Sequence, residues 1–390
     1  MRNLPFFLLF SLFVNAQPRT VKTLQVPSRA EFCKIDTLGG YSVLPSGRRV
    51  TPAGITVRIS NDPFGLAVSP DGEKIVALHS GVLSLISTQN LPKVVRVPSY
   101  DKHLTDPLQG ASFLGAAFSL DSKVVYLSGG DKGTVVIFDI ENQIKKGEIS
   151  LNQMINGQKF EESFTSDILL NTSKNELLVL DRAHFRMVRI DCITQKITAS
   201  IPVGRQPFGL ALSPNQKFAF VANVGLYEYP LVPGVTPQNK DTMMLKFPPY
   251  GAFTKESIEG VEVEGRKIPG LGSPLAAEAM SVFMIDLATN RVVKKFKTGH
   301  QIGEMIEEAE IVGGASPNSV AVGKRFAYVS NATNDNLSVI DHQTRKIVGH
   351  IQLKVHPSID KYRGLMPLAW LSRAMKKPSM WPCWVLMLWR

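Results

Sequence analysis

The feature that most restricts this chain is a repeat. Phe64-Gly65-Leu66-Ala67-Val68-Ser69-Pro70-Asp71-Gly72 recurs as Phe208-Gly209-Leu210-Ala211-Leu212-Ser213-Pro214-Asn215. Looser copies are Leu114-Gly115-Ala116-Ala117-Phe118-Ser119 and Pro317-Asn318-Ser319-Val320-Ala321-Val322, and a degraded one is Asp167-Ile168-Leu169-Leu170-Asn171. Aligned on Gly65, the copies begin at 65, 115, 167, 209 and 319, with spacings of 50, 52, 42 and 110. Self-similarity at such a period marks one supersecondary unit stacked on copies of itself.

A second element keeps the same phase. Asp191, Asp286 and Asp341 each end an apolar run and precede a polar turn with Thr, after which a basic residue opens the next run. Asp139 holds that slot in the second unit and Ser87 in the first. An Asp there suits the turn, because its carboxylate can accept from backbone N–H groups two residues on. Each unit reads as four short strands; in the first they are residues 65–69, 74–79, 82–87 and 94–97, separated by Pro-Asp-Gly, Ser-Gly and Thr-Gln-Asn signals. Four strands in 40–50 residues make one blade, which buries both faces only when neighbours stack on it. The fold class is therefore all-β, a β-propeller of four-stranded blades, with about five blades present.

The interval of 110 is one blade with an insertion. Residues 217–223 supply its second strand and 281–286 its third, so 225–278 are extra. With seven prolines and no sustained period, the insertion reads as an irregular loop on one face. It is either a binding surface or a covering loop. Residues 301–316 form a shorter insertion, whose Glu304, Glu307 and Glu308 are spaced for one helical face, with Glu310 close behind.

The N-terminus, Met1-Arg2-Asn3 followed by apolar Leu4 to Val14 and then Asn15-Ala16, has the three parts of an export leader cleaved after Ala16. The expected organisation is a signal peptide (1–16), a linker (17–39), the propeller (40–362) and an aberrant tail (363–390). The expected location is periplasmic or extracellular. Three cysteines are too few for a disulfide framework; in an oxidising compartment Cys33 and Cys192 either pair or remain isolated small hydrophobes.

The repeats resemble the YVTN-repeat, YncE-like β-propellers of exported bacterial proteins. The closest stretch is Ala327-Tyr328-Val329-Ser330-Asn331 running into Leu337-Ser338-Val339-Ile340-Asp341. The stretch from Leu44 to Gly54 is similar to the opening of a subgroup in which the propeller precedes an alkaline-phosphatase-like phosphoesterase domain. The resemblance covers roughly residues 40–367 and implies seven blades. The phosphoesterase activity of such a fusion would reside in a C-terminal domain outside this chain.

A sixth copy should begin near Pro367. Instead the chain turns to Leu368-Ala369-Trp370-Leu371, and all four tryptophans (Trp370, Trp381, Trp384, Trp389) fall in the last 21 residues. Leu-Ala-Trp-Leu can be encoded TTG GCT TGG CTT; one base earlier, with a T restored, the string begins TTT GGC TTG GCT, Phe-Gly-Leu-Ala. The segment from Lys376 to Trp389, treated likewise, can yield Glu-Lys-Thr-Leu-Tyr-Val-Ala-Leu-Leu, the counterpart of Glu73-Lys74-Ile75-Val76-Ala77-Leu78. The expectation is a one-base frameshift near codon 368, an open ring with an exposed edge on blade five, a disordered tail, and a strand at residues 55–59 left without the last blade it would complete. The net charge of +11 falls to +5 once the tail and leader are set aside, so it is no argument for nucleic acid.

The seven histidines (His79, His103, His184, His300, His342, His350, His356) have no metal-ligand spacing and read as solvated or core-edge. Gly129-Gly130-Asp131-Lys132-Gly133 lacks phosphate-loop spacing and reads as a hairpin turn, and Asn331 to Asn336 as a strand connection. No catalytic, cofactor-binding or metal-binding residue is assigned. The leading expectation is an exported, monomeric propeller with a binding or scaffold role. Its ligand or protein partner is unidentified and meets the blade-connecting loops; nucleic acid and a transmembrane anchor are not expected. The rival expectation is a propeller hydrolase of the lactonase-like type.

Overall fold

The structure, a computed structural model, describes residues 28, 30–35, 40–51, 57–79, 81–89, 93–97, 112–236, 238–242, 251, 253–306, 308–354, 365–371 and 385–388, with backbone alone for 368–371 and 385–388. The chain divides into two compact units, Met1–Arg58 and Ile59–Arg390. In the first, Ser42–Val43 pairs with Arg49–Val50. Glu31 holds this hairpin, accepting from Arg49 Nη2 at 2.6 Å and from the Tyr41 hydroxyl at 2.9 Å. Those bonds, Arg49 foremost, push the Glu31 carboxyl down to about 2.

The second unit is a β-propeller built from five four-stranded antiparallel sheets. Blade one comprises Gly65–Val68, Lys74–His79, Val82–Ser87 and Lys93–Val97. Blade two is Ala116–Phe118, Val124–Ser128, Thr134–Asp139 and Ile144–Ser150. Blade three is Thr165–Asn171, Glu176–Asp181, Arg186–Asp191 and Ile197–Pro202. Blade four is Pro207–Leu212, Phe218–Asn223, Ser281–Asp286 and Arg291–Lys297. Blade five is Pro317–Val322, Phe326–Asn331, Asn336–Asp341 and Lys346–Gln352. In every blade the strands pair in chain order, and the first strands of successive blades lie side by side.

The period-two pattern explains the stacking. Val125, Leu127, Val136 and Phe138 of blade two face Val76, Leu78 and Leu83 of blade one. Their alternates Tyr126, Val135 and Ile137 face Leu177, Val179 and Val188 of blade three. The same exchange joins blade three to four and four to five. Each blade thus contributes one apolar face to each neighbour, as side chains alternating across a strand require.

The repeated glycine has a specific reason. A Cβ on Gly65 would stand 1.8 Å from the carbonyl oxygen of Leu114; one on Gly115, 2.5 Å from Ile168 N; one on Gly209, 2.1 Å from Asn318 O. The backbone of the next inner strand occupies the space where a side chain would be.

The turn slots are filled as follows. Asp139 Oδ1 accepts from Asn142 N at 2.9 Å, Asp191 Oδ1 from Thr194 N at 2.7 Å, Asp286 Oδ1 from Ala288 N at 2.7 Å and Asp341 Oδ1 from Thr344 N at 3.0 Å. Backbone N–H donation is the leading cause that lowers the carboxyl pKa of Asp139, Asp191 and Asp341. Ser87 ends its strand in blade one with a hydroxyl in place of the carboxylate, and Ala16 lies outside the described residues.

Several expectations are corrected. Residues 225–278 are not irregular throughout: they include the helical turn Lys255–Glu259, capped by Thr254, and the hairpin Gly260–Val263 with Arg266–Pro269. The acidic segment is a hairpin, Met305–Ile306 with Ala309–Glu310, rather than a helix. A segment this short, entered through Gly303 at φ 83° and left through Gly314 at φ 67°, cannot nucleate a helix by itself. Glu307 lies outside the described residues. The connections at 129–133 and 331–336 do join antiparallel strands as expected, each including a 3₁₀ turn, Gly130–Lys132 and Ala332–Asn334. Cys33 and Cys192 are free thiols. Residues 57–59 form no strand, and 55–56 lie outside the described residues.

The tail expectation also changes. Pro367–Leu371 is a strand paired antiparallel with Val385–Leu388, and it packs beside the inner strand of blade five. Its register breaks between Pro367 and Ala369, as blade four breaks between Pro207 and Gly209 and blade five between Pro317 and Ser319. Proline, with no N–H to donate, fits the first position of such a strand. A sixth inner strand therefore begins where the spacing expects one.

Candidate functional site: the axial mouth

Because each blade runs out and back twice, the second-to-third-strand loops and the links between blades emerge where the inner strands begin. At that end of the propeller, rings from four blades converge. Phe113 lies 5.2 Å from Phe164 and 5.8 Å from Phe208, both edge to face, and 6.4 Å from Phe64. All four stand at or just before the start of an inner strand, which places them around the axis.

Arg182 joins this collar from blade three. Its backbone N–H donates to Phe164 O at 2.7 Å, its Nη2 to Gln206 Oε1 at 2.8 Å, and its guanidinium carbon is 5.8 Å from the Phe113 ring centroid. Other buried guanidinium groups of these blades have carboxylates: Arg186 has Asp181 at 2.8 Å, Arg189 has Glu176 at 2.6 Å, and Arg205 has Glu228 at 2.6 Å. Among the described residues no carboxylate pairs with Arg182. Desolvation lowers its pKa, with no opposing charge.

Further along the blade-three inner strand lies Asp167, at the position aligned with Gly65 of the repeat. Its Oδ2 accepts from Leu210 N of blade four at 2.9 Å and its Oδ1 from Ile168 N at 2.9 Å. Desolvation outweighs both bonds and pushes its carboxyl up to about 7.

The insertion of blade four opens at the same end. Arg205 anchors its base: Nη1 donates to Leu226 O at 2.8 Å and Ser273 O at 2.7 Å. Lys297, donating to Ala276 O at 3.0 Å, secures the far end. Desolvation and the nearby Arg205 charge push that lysine down to about 8. The 301–316 segment leaves from the same end and is anchored where His300 N donates to Asn334 Oδ1 at 2.7 Å.

Of the histidines, His79 is buried between Asn61 O (2.7 Å) and Ser84 Oγ (3.0 Å). His342 lies 3.0 Å from Gly323 O, and His300 stacks on His350 at 5.9 Å. His103 and His356 lie outside the described residues. No group of three or more His, Cys, Asp or Glu placed to hold a metal occurs among the described residues, and no described helix is long and apolar enough to cross a membrane.

Sequence reasoning missed Arg182 and Gln206. The repeat carries Phe64 and Phe208 directly before its glycine, but Phe113 and Phe164 are displaced from that slot, and nothing in the spacing marks Arg182.

No family model matches the chain, and no curated protein matches it. Among solved structures, that of streptogramin B lyase is similar at 12% identity and a TM-score of 0.47, over 81% of this chain and 76% of that one. The propeller assignment rests on the five stacked sheets.

Proposed function

We propose that this chain is an exported β-propeller with a binding or scaffold role and no catalysis of its own, and that its ligand sits at the axial mouth. One observation carries the reading: the Arg182 guanidinium is partly buried, yet its polar side-chain partner is the neutral Gln206. Burying a cation without an opposite charge costs stability unless something completes the site. A carboxylate carried on a flat apolar group would supply the missing charge and lay its ring against Phe113, Phe164 and Phe208. The loops at 225–278 and 301–316 border the same end and would shape access.

Export rests on the leader read at residues 1–16. The resemblance to YVTN-repeat propellers supports a place at the N-terminal side of a propeller–phosphoesterase fusion. The frameshift reading gains support from the strand at Pro367–Leu371. A restored frame would read Pro-Phe-Gly-Leu-Ala there, the same residues as Pro207 to Ala211 of blade four. Sequencing the gene across codon 368 decides that part; a restored base that fails to continue the repeat past residue 390 contradicts it.

Binding is tested by titrating the purified chain into 4-fluorobenzoate and following the ¹⁹F signal. Saturable broadening is expected, and its absence at millimolar protein contradicts the reading.

A further inference from the structure

The loop that carries Arg182 also carries His184, which belongs to a separate constellation. Asp181 is fully buried; its Oδ1 accepts from Phe164 N at 3.1 Å and its Oδ2 from Arg186 Nε at 2.8 Å. The same Oδ2 lies 3.1 Å from His184 Nδ1. Arg186 is fixed further by Leu151 O at 3.0 Å from its Nη2, and by the Phe160 ring, whose centroid is 3.5 Å from its guanidinium carbon. The His184 ring meets Phe160 edge to face at 5.2 Å. Phe160 thus braces both the His184 ring and the Arg186 guanidinium.

His184, Arg186, Ser200, Asn156 and Gln158 line one pocket of about 200 Å³ between blade three and the hairpin Met154–Ile155 with Gln158–Lys159. With Nδ1–H donated to Asp181, the imidazole presents Nε2 as its remaining polar atom. Among the described residues, Arg186 Nη1 has a long contact to Ser200 Oγ, at 3.4 Å. The amides of Asn156 and Gln158 take no partner among the described residues.

The electrostatic balance is specific. Arg186 neutralises Asp181, so the pocket is uncharged while His184 is neutral and carries one positive charge when it is protonated. Outside the pocket, the His184 loop itself carries Arg182, and the hairpin carries Lys159 and Glu161, which pair with each other at 2.6 Å, with Glu162 following; the strand Ile197–Pro202 brings no titratable group. No carboxylate lines the pocket itself, and its side-chain polar groups can all serve as donors once His184 is protonated. Donors converging around one added positive charge suit a small oxyanion.

We infer that this pocket binds a small oxyanion, a tetrahedral sulfate- or phosphate-like group or a carboxylate, and that binding takes up a proton at His184. The site does not depend on the axial reading, since Arg182 takes no part in it.

Sulfate is the suitable probe because its charge is constant between pH 5.5 and 7.5. At pH 7.5, calorimetry on the full chain in two buffers of different ionisation heat should show sulfate binding with net proton uptake. Affinity should weaken by up to about tenfold per pH unit once the imidazole is mostly neutral. Acetate, measured in parallel, assigns the site to carboxylates if it binds more tightly than sulfate and to tetrahedral anions if less. His184→Gln should abolish the pH dependence and lower the affinity at pH 5.5 at least about tenfold. Ser200→Ala, a milder change at the pocket wall, should weaken binding and keep the pH dependence. Binding of neither anion at pH 5.5, or an unchanged pH dependence in folded His184→Gln, would overturn the inference.

Discussion

Asp167 of blade three accepts a hydrogen bond from the backbone N–H of Leu210 in blade four, 2.9 Å away. Three other copies of the repeat place a glycine at this position (Gly65, Gly115 and Gly209) and let the next inner strand approach; here a carboxylate bridges the gap instead. Desolvation raises its pKa to about 7, above the ordinary value near 3.8. The folded state therefore binds the proton more tightly than the unfolded chain. The stability it contributes is complete below pH 4 and is lost as pH rises from about 4 to 7. Chemical denaturation across that range should show a fall of about 4 kcal/mol that Asp167→Asn removes. An identical pH profile in the variant would contradict the assignment.

The close approach at Gly65 and Gly209 leads to a second expectation. A methyl group at either position meets a backbone carbonyl oxygen, 1.8 Å and 2.1 Å away respectively, and a backbone cannot rotate aside. Gly65→Ala and Gly209→Ala should each lower stability by about 1–3 kcal/mol or more. Gly147→Ala, with open space around it, should cost much less. Equal effects in urea denaturation would show that the blades do not pack in this way.

A buried ion pair within blade three holds the arginine that reaches blade four. Arg189 donates to both oxygens of Glu176, at 2.8 and 2.6 Å from Nη2, and its Nη1 reaches Leu287 O of blade four at 2.7 Å. Arg189→Met leaves Glu176 buried without its cation and should cost about 3–5 kcal/mol. Adding Glu176→Met should restore much of that loss, because the pair's desolvation cost disappears with both charges. A double variant no more stable than Arg189→Met alone would contradict this account.

The legible part of the fold was the part set by local chemistry. Strands such as Lys74–His79 and Val82–Ser87 are visible because alternation and turn residues bound them tightly. The Asp slots are visible because each carboxylate serves a turn two or three residues away. The axial mouth was not visible. Arg182 matters through Phe113 and Gln206, from the blade before and the blade after, and no spacing within one repeat encodes that meeting. His184 likewise shares its carboxylate with Arg186, so its role depends on the pocket wall supplied by the 154–159 hairpin. In the tail the composition breaks from the repeat, whereas the strand from Pro367 carries the same proline-led register shift as blades four and five.

The central claim is that Arg182 supplies the charge of a ligand site whose walls are aromatic. The most direct test compares 4-fluorobenzoate with 4-fluorobenzyl alcohol, by ¹⁹F titration, on the native chain and on Arg182→Met. The native chain should prefer the carboxylate by about tenfold or more, the scale of one charge-assisted hydrogen bond. Arg182→Met should bind the two ligands equally, with the alcohol's affinity little changed. A carboxylate preference that survives in the folded Arg182→Met variant would contradict the account.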